Sequence, residues 1–219
     1  MFKIEKLKLL AVASVSIFLF SACSSKNTKV QEYNKPALYW YQQMLDEISM
    51  ADLEAADDTY ISLESEHRNS PLLPTATLIL VNAHMDEEEY ELANFYLDEY
   101  IKRYGMSKNI EYVRYLKIKA NFLGLNYALR DQKLIEDTII QISDFKVKYP
   151  KSSYMPLVDT INARLFMAKA SIDKSIADLY RKKGKEKAAE IYEQRVKESW
   201  VNPSEINPVE VPFYREIFE

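Results

Sequence analysis

Three separate segments of this chain carry packing residues at one repeated spacing of 3, 4, 3 and 4, and that shared phase constrains the fold more than any other feature. The series are Leu53, Ala56, Tyr60, Leu63 and His67; Tyr90, Ala93, Leu97, Tyr100 and Tyr104; and Ile135, Thr138, Ile142, Phe145 and Tyr149. The spacing follows the 3.6-residue period of a helix, so each series forms one stripe on one helical face. Its second member is always small (Ala56, Ala93, Thr138), as expected where a neighbouring helix approaches closely. Each series then meets a stop signal, Asn69-Ser70-Pro71, Gly105 or Pro150. The starts lie 37 residues apart from Leu53 to Tyr90 and 45 apart from Tyr90 to Ile135, which is a helical-repeat period with an insertion.

Partner helices fit between these stripes. Pro36 opens one that runs through Leu38, Tyr41, Met44, Leu45 and Ile48, with Trp40 adding bulk and a break at 49–52. Others are expected over 75–85, over 109–123 and, after Pro150, over about 153–182. Gly124 to Arg130 reads as the longer loop that extends the period, and Gly184 separates the long helix from a last one over 185–199. Trp40 and Ala56 in the first repeat, and Tyr180, Gly184 and Ala189 in the last, match the aromatic, turn and packing positions of a tetratricopeptide (TPR) repeat. A helix pair of this kind cannot bury its apolar stripe alone, so neighbouring pairs stack into a solenoid. The expected fold is all-α, about four TPR-like hairpins over 36–200, with a proline-interrupted tail over 201–219 that caps the last repeat.

The other end of the chain sets the expected location. Lys3, Lys6 and Lys8 precede an apolar run from Leu7 to Phe20, and Phe20-Ser21-Ala22-Cys23 follows at once. This is the pattern of a secretory signal over 1–22 ending in a lipoprotein-type cleavage site, with Cys23 as the lipid-attachment residue. Residues 24–35 read as a polar tether. No later segment approaches the roughly 18 unbroken apolar residues of a membrane-spanning helix. Ser24, rather than Asp, follows Cys23, which points to the outer membrane.

Composition excludes several functions. Cys23 is the sole cysteine, so neither a disulfide nor a thiolate metal site can form. The net charge of −4 argues against nucleic acid as a partner. Gly105, Gly124 and Gly184 are too far apart for a phosphate-cradling loop. His67 sits on the first stripe, where a packed side chain is expected, and His84 has no His or Cys at metal-ligand spacing. Asp86-Glu87-Glu88-Glu89 is expected at a helix start, where carboxylates favour the dipole. Nucleophile-elbow and His-Glu-x-x-His patterns are missing. No catalysis, cofactor, metal or small-molecule substrate is therefore expected.

Function is expected in the groove lined by first helices, with Tyr41, Asn82, Tyr112, Tyr115 and Lys119 as candidate partner-binding residues. Asn82, amid Leu78, Ile79 and Val81, is either an amide that reads an extended peptide backbone or a solvated or helix-capping one. The basic run Arg181-Lys182-Lys183-Gly184-Lys185 reads as a solvated helix end or as a site for an acidic partner.

Several stretches resemble a known family. Asn109-Ile110-Glu111-Tyr112-Val113-Arg114-Tyr115-Leu116 is similar to the opening of the third repeat of BamD-type lipoproteins of the β-barrel assembly machinery. Tyr149-Pro150-Lys151-Ser152-Ser153-Tyr154 resembles their Tyr-Pro-x-Ser-x-Tyr turn, and Ala177-Asp178-Leu179-Tyr180 with Gly184 and Ala188-Ala189 resembles their fourth repeat. The resemblance implies an outer-membrane lipoprotein, lipid-anchored on the periplasmic face, that binds the barrel-forming subunit and nascent outer-membrane proteins. The other role open to such a chain is a pilotin-like scaffold of a secretion or pilus machine. Where the family usually has a fifth repeat that carries much of the contact with the barrel subunit, this chain has the tail from Val201 to Glu219. Either that contact has moved to the fourth repeat and tail, or the partner differs.

Overall fold

The computed structural model describes residues 33–125 and 132–199. Cys23, most of the tether, the loop after Leu125 and the tail over 201–219 lie outside the described residues. Pro36 opens the unit that holds every described helix. In order these are α1 (Ala37–Ser49), α2 (Leu53–Glu66), α3 (Leu73–Asp86), α4 (Tyr90–Tyr104), α5 (Ile110–Leu123), α6 (Gln132–Lys148), α7 (Met155–Lys182) and α8 (Glu186–Glu198). Among the described residues there is no strand. The helices pair as α1/α2, α3/α4, α5/α6 and α7/α8, and each pair packs on the next, which is the TPR-like repeat architecture expected from the stripes.

The stripes are the packing faces. Ala56, Ala93 and Thr138, their small members, are all fully buried, as is Ala189 in α8. Thr138 meets its hydrogen-bonding requirement by donating its hydroxyl to the Leu134 carbonyl (2.6 Å). His67 departs from the expected pattern: α2 ends at Glu66, so His67 is a half-exposed cap residue and not a core one.

Three of the intra-repeat turns share one closure. Ala51, Glu88 and Gly184 take left-handed φ values of 57°, 62° and 68°. The next amide then reaches back to the helix it has left: Asp52 donates to the Glu47 carbonyl (3.0 Å), Glu89 to His84 (2.8 Å) and Lys185 to Tyr180 (2.9 Å). This is the Schellman arrangement, which satisfies carbonyls that a helix end leaves open. Only the last of the three turns has the glycine that favours it. The acidic run is also placed differently from the sequence expectation. Asp86 ends α3, Glu87 and Glu88 form the turn, and only Glu89 borders the start of α4.

Two apolar clusters result. The larger runs from Trp40 and Met44 in α1 through α2, α3 and α4 to Val113, Leu116 and Ala120 in α5. The smaller joins Ile118 of α5 to Ile135, Ile142 and Phe145 of α6 and to Val158, Ile161, Leu165 and Ile172 of α7. Each fully buried Leu or Ile stabilises by about 1.5–3 kcal/mol. Helix α5 thus serves both clusters, and Tyr115 packs against each.

Candidate partner-binding face

Ser152 fixes the geometry around α5. Its hydroxyl donates to the Glu111 carboxylate (2.5 Å) and accepts from the Tyr154 amide (3.1 Å), which ties the α6–α7 turn to the first turn of α5. The Tyr154 ring is thereby held against α5. It stacks on Tyr115 at 4.7 Å between centroids with 8° between planes, and sits 5.7 Å from Tyr112. Tyr112 and Tyr115 are 6.5 Å apart, which completes a three-ring cluster. All three residues remain half-buried. Burial, followed by the neighbouring Tyr112 and Tyr154, pushes the Tyr115 phenol above its ordinary range and keeps it a neutral donor.

The five predicted residues are distributed over three first helices. Tyr112, Tyr115 and Lys119 fall within about 60° of one another around α5. Lys119 is half-buried and has no ion-pair partner among the described residues. Tyr41, on α1, is half-buried against the larger cluster. Asn82, on α3, is exposed, and its amide nitrogen donates to the Leu78 carbonyl of its own helix (2.7 Å). That bond uses one of the two amide hydrogens, so the other hydrogen and the Oδ1 acceptor leave both readings of Asn82 open. Tyr154 is the member that sequence reasoning missed. Its signal was the Tyr-Pro-x-Ser-x-Tyr turn, whose serine places the final ring.

A polar network, also unforeseen, links α2, α3 and α4. His84 is fully buried on α3, with Nε2 2.9 Å from Asp57 Oδ1 and Nδ1 2.7 Å from Glu89 Oε2. Tyr96 donates its hydroxyl to the same Asp57 oxygen (2.7 Å) and its ring stacks on the imidazole at 5.5 Å. Burial opposes the charged imidazole, but the hydrogen bonds and charges of Asp57 and Glu89 outweigh it and raise the His84 pKa above its ordinary value. This cluster joins α2, α3 and α4 and leaves no donor of His84 open. Among the described residues no group of three or more His, Cys, Asp or Glu is arranged to hold a metal ion. Nor is any described helix long and apolar enough to cross a membrane. The basic run at the end of α7 is exposed: Arg181 pairs with Glu193, and Lys185 lies 5.9 Å from the Tyr180 ring centroid.

The family model described as "YfiO: Outer membrane lipoprotein" matches residues 33–202. The outer membrane protein assembly factor BamD of Helicobacter pylori (strain ATCC 700392 / 26695) is 39% identical over 210 residues, covering 96% of this chain and 96% of that protein.

Proposed function

The chain belongs to the YfiO family of outer membrane lipoproteins, and from that premise we propose that it is a non-catalytic scaffold in the assembly of β-barrel outer-membrane proteins. Cys23 carries the lipid, the domain faces the periplasm, and the first-helix face binds the barrel-forming subunit, nascent barrel polypeptides, or both. The observation that carries this reading is the 39% identity to an assembly factor across nearly the whole of both chains. The relative is named as an assembly factor and not as an enzyme, which agrees with a chain whose polar clusters are structural.

The Tyr112, Tyr115 and Tyr154 cluster is the recognition element of this face, and Lys119 supplies a cation beside it. Tyrosine suits the task because it presents a large, stiff apolar surface with a polar tip at little entropic cost. Tyr41 extends the aromatic surface onto α1, and Asn82 contributes a solvated rim. Affinity capture of the lipidated protein from envelopes tests the role. It is expected to recover the barrel-forming subunit, and depletion should lower the folded fraction of several barrels together. Recovery of a secretin without that subunit would replace this reading with a pilotin-like one.

A further inference from the structure

A second site lies at the far end of the chain's last repeat. A cleft of about 440 Å³ opens between α6, α7 and α8, and Phe166, Lys169, Ala170 and Asp173 line it from one face of α7. Asp173 is only 6% exposed, and it borders this cleft. Among the described residues its carboxylate accepts no hydrogen bond and makes no ion pair, yet neither oxygen is sealed from solvent. A buried carboxylate is almost always paired, so an unpaired one on a cleft wall marks a position for a donor. Burial pushes its carboxyl above the ordinary carboxylate range, against the pull of Lys169 and Arg195. Asp173 lies about 28 Å beyond Tyr154 along α7, at about 1.5 Å per residue. The cleft is therefore separate from the tyrosine cluster.

The lining selects the donor. Lys169 is already paired with Glu136, the Arg195 guanidinium lies 4.8 Å from the Tyr192 ring centroid, and Glu198 accepts from the Gln194 amide (2.9 Å). Glu136, Asp173 and Glu198 thus face two cations, Lys169 and Arg195, an excess of one negative charge. That balance suits a monocation. A metal ion does not fit, because among the described residues no three acidic groups are arranged to hold one. A guanidinium fits best: its planar fork matches both oxygens of one carboxylate, and it is more weakly hydrated than an ammonium. Phe166 and Ala170 offer apolar wall to a hydrocarbon stem. We propose that the α6–α7–α8 cleft binds one arginine side chain of a partner polypeptide, its guanidinium paired with Asp173 and its stem against Phe166 and Ala170. This goes beyond the scaffold role and holds whichever polypeptide meets the tyrosine face.

The test uses the full-length protein in detergent micelles, following the backbone amide resonances of Ala170 and Asp173. The probes are the Nα-acetyl amides of arginine, of lysine and of citrulline, the last being the uncharged isostere of arginine. The arginine probe should give saturable shifts that the citrulline probe lacks, with the lysine probe weaker. Asp173→Asn should weaken arginine binding at least tenfold, as loss of one member of a buried charge pair does. Arg195→Gln should strengthen it about threefold by removing a competing cation. Asp173→Asn should melt no lower than the wild type, since its carboxylate has no hydrogen-bond partner to lose. The proposal is overturned by equal shifts from the citrulline probe, by no shift from any probe, or by tighter binding of the lysine probe. Unchanged affinity in Asp173→Asn, or a lower melting temperature for it, overturns it as well.

Discussion

The helices from α1 to α5 and those from α6 to α8 repeat one hairpin design but hold it together by different means. The first group encloses a continuous apolar cluster crossed by buried polar links. Trp40 donates to Glu66 (2.8 Å), Thr59 to Glu47 (2.6 Å), Tyr60 and Thr77 share a bond of 2.8 Å, and His84 joins Asp57 and Glu89. The second group has the smaller cluster and the surface ion pairs Lys146 with Asp159, Lys169 with Glu136 and Arg181 with Glu193, of a kind the first group also carries in Arg103 with Glu64 and Lys117 with Asp98. In α8 only Ala189 is fully buried. Buried, satisfied polar groups specify one arrangement of neighbours, whereas solvated pairs contribute little. The lesson is that a repeat can keep its packing stripe while the buried polar links around it thin out along the chain. The tyrosine cluster sits at the junction, on α5 and the turn into α7.

The largest test of this contrast is the same truncation in each cluster. Leu97→Ala should cost about 3–5 kcal/mol and Leu165→Ala about 2–3 kcal/mol, because the thinner surroundings of Leu165 relax further into the space left. Urea unfolding of both variants measures this, and equal costs would break the comparison. His84→Ala should follow at about 3 kcal/mol, since it strips Asp57 and Glu89 of their shared partner. That network also carries a pH signature. The His84 pKa is raised in the fold, so its contribution is fully present below the unfolded value of about 6.5 and is lost as pH rises through the raised value. The melting temperature should therefore fall on the alkaline side of that range, and His84→Gln should flatten the dependence.

Smaller effects sharpen the picture at the turns and the surface. Gly184→Ala should cost about 1 kcal/mol from its left-handed φ alone, because a Cβ there would meet nothing within 4 Å. Glu88→Gly at the matching turn should change stability in the opposite direction by about 0.5 kcal/mol. Thermal melts of the pair test whether the turns are equivalent. Smallest of all, Lys169→Ala should shift stability by less than about 0.5 kcal/mol and lose even that at high salt.

Much of this was legible in the residues. The stripes and stop signals located α2, α4 and α6, because helical periodicity and small packing residues leave a direct mark on sequence. Tyr112, Tyr115 and Lys119 could be placed on one face by the same periodicity. Tyr154 could not, because its position depends on a serine bridging to Glu111 across 41 residues. His84 was illegible for a related reason: Asp57 lies 27 residues away, and no local pattern announces a long-range hydrogen bond. The left-handed turns at Ala51 and Glu88 were hidden because neither residue type signals that conformation. The acidic run was misplaced because charge density marks a helix boundary without saying on which side of it each residue falls.

The central claim is that the junction tyrosines recognise a partner in barrel assembly. The direct measurement is affinity of the full-length protein, held in detergent, for the periplasmic portion of the barrel-forming subunit and for an unfolded barrel polypeptide. A Tyr112→Ala, Tyr115→Ala double variant with unchanged helicity and melting temperature should lose at least tenfold in affinity for one of the two. Unchanged affinity for both, in a variant that remains folded, would contradict the account.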